Sequence, residues 1–263
     1  YLRYRIGISY RKVQELFAVL FGMKLVPASL VGFDQAAVRR GQPLYDDLRE
    51  KVRASAVVHA DETSWRNDGD AYWAWYMGNP DLAYFHIDRR RSGDVAELLL
   101  GALFGGTLIT DRYAAYNRAN AAFWQTCLAH IIRKAKELAR ELEGVSEKQR
   151  ELKAVTFVVA IAELFSRACS EGSGLADVSL GQAALLEKSL MEELHALCET
   201  KLDFKDAETL RTSLIGKDNR NLFTFLRIPG VPPTNNQAEQ SIRFMVIFRK
   251  ILFGTRSASG LIN

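Results

Sequence analysis

The chain has 263 residues, 48% of them hydrophobic and 25% charged. That is a globular balance with ample core material, no low-complexity tract and no internal repeat. A formal charge of +4 is too mild to identify a nucleic-acid partner by itself. No apolar run approaches the ~20 residues of a membrane span; the nearest, "VTFVVAIAELF", is short and carries Glu163. No segment has the charged start and apolar middle of a secretory signal. With Tyr1 in place of an initiator Met, the sequence is expected to be a fragment or a processed form. The three cysteines, Cys127, Cys169 and Cys198, are odd in number and far apart, which argues against a disulfide framework and for a reducing cytosol.

In chain order, "SYRKVQELFAVLFGM" places Val13, Leu16, Phe17 and Leu20 on one helix face. Gly22 marks a turn, and "VPASLVGFDQAAVRR" predicts a second short helix. Helix, turn and helix fit a DNA-reading helix-turn-helix as well as a plain packing hairpin. From about Ala54 to Leu142 the pattern is α/β. "SAVVHADET", "AYWAWYMGN" and "LAYFHIDRR" predict an antiparallel meander, with a turn at Asn79-Pro80. "SGDVAELLLGALF" predicts a helix capped by Ser92 and stopped by Gly105-Gly106. "TLITD" is a fourth strand, "YAAYNRANA" a short helix, and "FWQTCLAH" a fifth strand leading into the basic helix "IIRKAKELARELE". This is the order of an RNase H-like mixed five-stranded sheet flanked by helices. From about Glu147 to Arg227 three helical stripes follow, with "SEGSGLADVSLG" as a loop. Their leucines and phenylalanines read as core.

Cationic residues cluster as Arg3/Arg5/Arg11/Lys12, Arg39/Arg40, Arg89/Arg90/Arg91, Arg133/Lys134/Lys136 and Arg243/Arg249/Lys250/Arg256. Several clusters flank the residues that carry chemistry. Asp61 and Asp111 each end an apolar run, "AVVHAD" and "TLITD", and in the order above those strands lie side by side. Two carboxylates packed together repel unless a cation intervenes, and oxygen-only ligands suit Mg²⁺ or Mn²⁺. A third carboxylate would complete a two-metal site. Glu239 is the candidate, because the small Ala238 beside it permits close approach and Arg243 lies one turn on. Glu62 adjoins Asp61 on a strand and should point the other way. Asn236 and Glu239 also read as a capping box, which places Glu239 in a first turn where the helix dipole favours negative charge.

Jointly and in this order, "HADETSW", "TDRYAAY", "CLAHIIRK" and "TNNQAEQSIR…RK" resemble the transposases of the bacterial insertion-sequence-sixty-six family. The resemblance covers nearly the whole chain. It implies an RNase H-like core with an Asp-Asp-Glu triad, Asp61, Asp111 and Glu239, and a helical insertion before the Glu. It implies end cleavage and strand transfer on DNA with two Mg²⁺ (or Mn²⁺) ions, and a cytoplasmic, nucleoid-associated bacterial protein. The expected organisation is a helical, helix-turn-helix-like region over 1–50, the first part of the core over 51–142, the insertion over 143–230, and the final helix and tail over 231–263. Three departures stand out: Arg112 where relatives often have Gly, Gln240 where they often have Arg, and Ile251 where a small or polar residue is usual.

Arg133, Lys134, Arg243, Arg249 and Lys250 are the expected phosphate contacts. Cys127 and His130 have metal-ligand spacing without the second Cys/His pair of a structural zinc site, and with Asn235 and Asn236 they are read as supporting residues. His59 and His86 read as structural strand residues, and the four tryptophans as core rather than as base-stacking platforms. The expected partners are transposon-end and target DNA, a second copy in an end-paired complex, and accessory transposition proteins; a membrane is not among them. Two other readings stay open: an RNase H-like nuclease or resolvase that only hydrolyses, and a non-catalytic DNA-binding module.

Overall fold

The structure is a computed structural model that describes residues 1–3, 6–144, 151–216 and 219–256. Arg5, and the Glu147–Arg150 stretch with which the helical zone was expected to open, lie outside the described residues. The chain is mixed α/β, with a five-stranded sheet in the order β3-β2-β1-β4-β5. The strands are β1 (Val57–Asn67), β2 (Asp70–Gly78), β3 (Ala83–Asp88), β4 (Phe104–Thr110) and β5 (Ala121–Thr126). Two compact units divide the chain. Unit 1 comprises Tyr1–Phe104, Ala115–Asn120 and Asn236–Asn263; unit 2 comprises Gly105–Ala114 and Ala121–Asn235.

Unit 1 begins with helix α1 (Tyr10–Phe21). Ser9 caps it by accepting the Lys12 N–H, and Gly22 ends it at φ +64°, a conformation glycine adopts without a Cβ penalty. The second helix, α2 (Pro27–Arg53), runs on well past the predicted end near Arg40 and contains Pro43. A proline removes one helical bond, but the following turns carry their own support. Lys51 pairs with Asp47 at 2.7 Å and Arg53 with Glu50 at 2.9 Å, the spacings that meet on a helix face. Tyr45 then donates to Phe85 O at 2.8 Å, and Arg53 to Leu99 O at 3.0 Å. These bonds fasten α2 to β3 and to helix α3 (Gly93–Leu100).

The β1–β2 hairpin is longer than the sequence reading had it. Pairing runs from His59 opposite Gly78 to Asn67 opposite Asp70. The loop is Asp68-Gly69, with φ of +50° and +89°; two positive φ values suit a tight two-residue turn matched to strand twist. β1 therefore continues through Trp65, and Asp61 lies mid-strand rather than at a strand end. The Asn79 turn forms as expected, its side chain accepting from Asp81 N at 2.9 Å. Two predicted details of α3 differ. Ser92 stands at the cap position but makes no side-chain cap bond, and the helix stops at Gly101, φ +87°. Gly105 and Gly106 belong to β4.

Unit 2 contains α4 (Leu128–Glu143), α5 (Leu152–Gly172), α6 (Leu175–Val178), α7 (Leu180–Leu197) and α8 (Lys205–Leu214). The short α6 occupies the expected loop, and "NLFTFL" forms two 3₁₀ turns, Asn219–Leu222 and Thr224–Leu226, instead of a longer helix. Ile161, Phe165, Phe223 and Phe225 are buried there, and Phe165 stacks on Phe223. The buried Gln125 side chain ties β5 to these turns. It donates to Leu222 O at 3.1 Å and accepts from Phe225 N at 2.9 Å. All three cysteines are free thiols. No helix among the described residues is long and apolar enough to cross a membrane.

Candidate active site

In unit 1 the pleat gives β1 two faces of different character. Asp61 pairs with Tyr76, and directly paired residues share a face. Tyr76 is fully buried in a cluster with Ala238 and Ile242 of helix α9 (Asn236–Leu252). Trp65, two turns of the pleat further along that face, stacks on Phe248 of the same helix with ring centroids 6.4 Å apart. Helix α9 thus lies along the Asp61 face of β1, with its first turn at the Asp61–Tyr76 level. Glu239 directly follows the fully buried Ala238. The Asp61 carboxylate is held in part by the Glu62 N–H, which donates to Oδ1 at 2.9 Å.

Glu62 faces the other way. Its side chain is only 2% exposed and fully engaged: Arg91 donates to Oε1 through Nε (3.0 Å) and Nη2 (2.7 Å), and the Tyr116 hydroxyl donates to Oε2 at 2.5 Å. Arg91 also lies over the Trp73 ring, and Tyr116 meets the buried Trp75 edge-on. The sequence reading named Arg91 only as part of a basic cluster and missed this anchor; the alternation that turned Glu62 away from Asp61 was the available signal. The whole Arg89–Arg91 cluster is paired, Arg89 with Asp70 at 3.2 Å and Arg90 with Asp88 at 3.0 Å.

In unit 2, Asp111 directly follows the last residue of β4. Its Oδ1 accepts the Tyr113 N–H at 3.0 Å, and Thr110 Oγ1 accepts the Arg112 N–H at 3.4 Å. These bonds shape a tight turn in which Arg112 has φ +74°. The departure from glycine noted at this position therefore falls where glycine would be unstrained. Cys127 immediately precedes α4 and is fully buried, while His130 is half-buried on the first turn of that helix. Asn235 is 1% exposed.

Helix α9 starts one residue earlier than a capping box requires. Asn236 is its first helical residue, so the cap position falls on Asn235, and Glu239 is the fourth helical residue instead of the third. Of the expected phosphate contacts, Arg133, Lys134, Arg243 and Lys250 are exposed. Arg249 is half-buried and donates to the backbone and hydroxyl oxygens of Ser64. His59 and His86 lie in β1 and β3 as expected. Trp65 and Trp75 are core residues, 2% and 0% exposed.

A comparison with curated proteins gives no match. A comparison with family models matches residues 1–262 to one described as the transposase IS66 family. The match spans both units and all the residues considered above. The chain belongs to the IS66 family of transposases.

Proposed function

We propose that the chain cuts and joins DNA at the ends of an insertion sequence, with Asp61, Asp111 and Glu239 as its catalytic carboxylates in an RNase H-like core. The observation that carries this reading is the placement of Asp61 in unit 1. It sits on the strand face covered by the first turn of α9, at the level of Tyr76, Ala238 and hence Glu239. Membership of a transposase family supports the same reading. So does the position of Asp111, which immediately follows the last residue of β4, where the turn closed by the Tyr113 N–H holds its carboxylate.

The donor set is carboxylate oxygen throughout, which fits a hard divalent cation such as Mg²⁺ or Mn²⁺. Asp61, Asp111 and Glu239 would hold it. When bound, it supplies charge stabilisation to the attacking and leaving oxygens of an in-line displacement. The chain's own residues orient the carboxylates: the Glu62 N–H holds Asp61, the Tyr113 N–H holds Asp111, and Ala238 lets α9 approach the sheet. In the first step water attacks the phosphodiester at the element's end and a 3′-hydroxyl leaves. In the second that 3′-hydroxyl attacks a target phosphodiester, displacing a target 3′-oxygen. Neither step needs a covalent enzyme intermediate. Lys134, Arg243 and Lys250, all exposed, are assigned to backbone phosphates, with Arg133. Each such contact adds about 0.9 to the log–log salt slope of binding. Two ends must be paired, so a dimer of chains on DNA in the cytoplasm is part of the proposal, and accessory transposition proteins remain its further partners.

The test is cleavage and joining of cognate end DNA with Mg²⁺. Asp61→Asn, Asp111→Asn and Glu239→Gln are each expected to lose at least about 1,000-fold in rate, the scale of ~4 kcal/mol of lost transition-state stabilisation, while remaining folded. Full activity in any one of them would remove that residue from the triad. Hydrolysis of ends without joining of pre-cleaved ends would make the protein a nuclease. No cation-dependent reaction at all would leave a DNA-binding module.

A further inference from the structure

Cys127 is a buried group that the proposed chemistry does not use. It stands at the cap position of α4, yet its side chain makes no cap bond to that helix. Instead its Sγ accepts the backbone N–H of Asn235 at 3.1 Å. Its own N–H donates to Thr110 O at 2.8 Å, and the next N–H, that of Leu128, donates to Pro233 O at 3.0 Å. Three segments of unit 2 are thereby fastened at one point: the end of β4, the start of α4, and the Pro233–Asn235 stretch.

Two of these segments lead directly to proposed catalytic residues. Thr110 is followed by Asp111. Asn235 is followed by α9, whose fourth residue is Glu239. With Cys127 fully buried and Asn235 1% exposed, water is not at hand to replace the thiol as acceptor. A buried donor left without a partner carries the full cost of its desolvation. The acceptor at position 127 therefore helps to hold Asn235, the residue immediately before the Glu239 helix. Resting on the function proposed above, we infer that Cys127 is a positioning residue: its backbone holds the strand end before Asp111, and its thiol holds the residue from which the Glu239 helix begins.

The experiment compares Cys127→Ala, which removes the acceptor, with Cys127→Ser, which keeps one, in the whole chain. The first readout is amide hydrogen exchange over residues 234–240, which does not depend on activity. Cys127→Ala is expected to speed exchange there by about tenfold or more, the scale of one lost bond to a buried donor, and Cys127→Ser to stay within about threefold of the parent. The second readout is end cleavage. In Cys127→Ala, kcat is expected to fall about tenfold with KM for DNA unchanged, and the serine variant is expected to recover it.

Unchanged exchange in a folded Cys127→Ala protein overturns the inference. So does a serine variant as impaired as the alanine one, or loss from both variants of a tightly bound metal present in the parent, which would make Cys127 a ligand. If Cys127→Ala does not fold, Cys127→Ser alone decides: it must fold with native exchange over 234–240. An inactive parent chain with the expected exchange pattern would count against the transposase reading and leave the positioning role standing. An active parent with unaltered exchange would do the reverse.

Discussion

Arg112 holds a backbone conformation, φ +74°, that costs an L-residue about 1 kcal/mol relative to glycine. It sits between Asp111 and Tyr113, whose hydrogen bond closes the turn. Replacing Arg112 by Gly or by Ala removes the same side chain, so the two variants differ only in how well they tolerate the left-handed backbone. Arg112→Gly is expected to exceed Arg112→Ala in stability by about 1 kcal/mol in urea unfolding; equal stabilities would mean the turn is relaxed. Single residues were legible where one local rule decides. The pleat separated Asp61 from Glu62, and the carboxylate after "TLIT" fell just past its strand. They were not legible where a distant partner decides. Nothing near Glu62 in sequence announces Arg91 or Tyr116, 29 and 54 positions away. Likewise, Asn236 looked like a cap until the helix was seen to start there, with the adjoining Asn235 held from Cys127, 108 positions away.

Among the elements, the strands of the meander were readable because β-branched and aromatic residues alternate within them. Their lengths were not. β1 outruns its apolar run because the Asp68-Gly69 turn lets polar residues on both strands keep pairing. α2 outruns its predicted end because ion pairs and the Tyr45 and Arg53 contacts support the turns after Pro43. Helix α9 shows how one small residue can position an element. Ala238 is fully buried in a cluster with Tyr76 and Ile242, so a larger side chain must push the helix off the strand or leave its rotamer well. Ala238→Leu is expected to cost about 1–3 kcal/mol, measured by urea unfolding. On the proposed function it should also depress cleavage more than a comparable loss of stability elsewhere, because the displaced turn carries Glu239. Wild-type stability in that variant would show that the α9–β1 packing has slack.

At the scale of the whole molecule, the titrating groups that burial and ion pairing displace define a window of stability. In unit 1, burial lowers His86 below its usual 6.5, more than Asp88 opposes the change. The unfolded chain then takes up a proton near pH 6.5 that the folded chain resists, so stability falls as pH drops below that value. Further down, Asp88, lowered by Arg90 against the opposing effect of burial, and Glu208 of unit 2, lowered to about 2 by its bonds to Arg211 and the Leu202 N–H, add losses below their ordinary carboxylate range. Burial raises Glu187 instead; protonating it favours the fold and partly offsets these losses. On the alkaline side burial raises Cys169 and Cys198 to about 11 and Tyr84 above its usual 10. A raised acid contributes stability that is lost as pH climbs from the unfolded value, near 9 for the thiols, through the folded one. Melting temperature should therefore be flat between about pH 6.5 and 9 and fall on both sides. His86→Asn should flatten the first part of the acid arm, just below about pH 6.5, without moving the alkaline arm. An acid arm that begins only near pH 4 in the parent chain would show that His86 is protonated within the fold, and that its contacts with Tyr45 and Asp88 outweigh its burial.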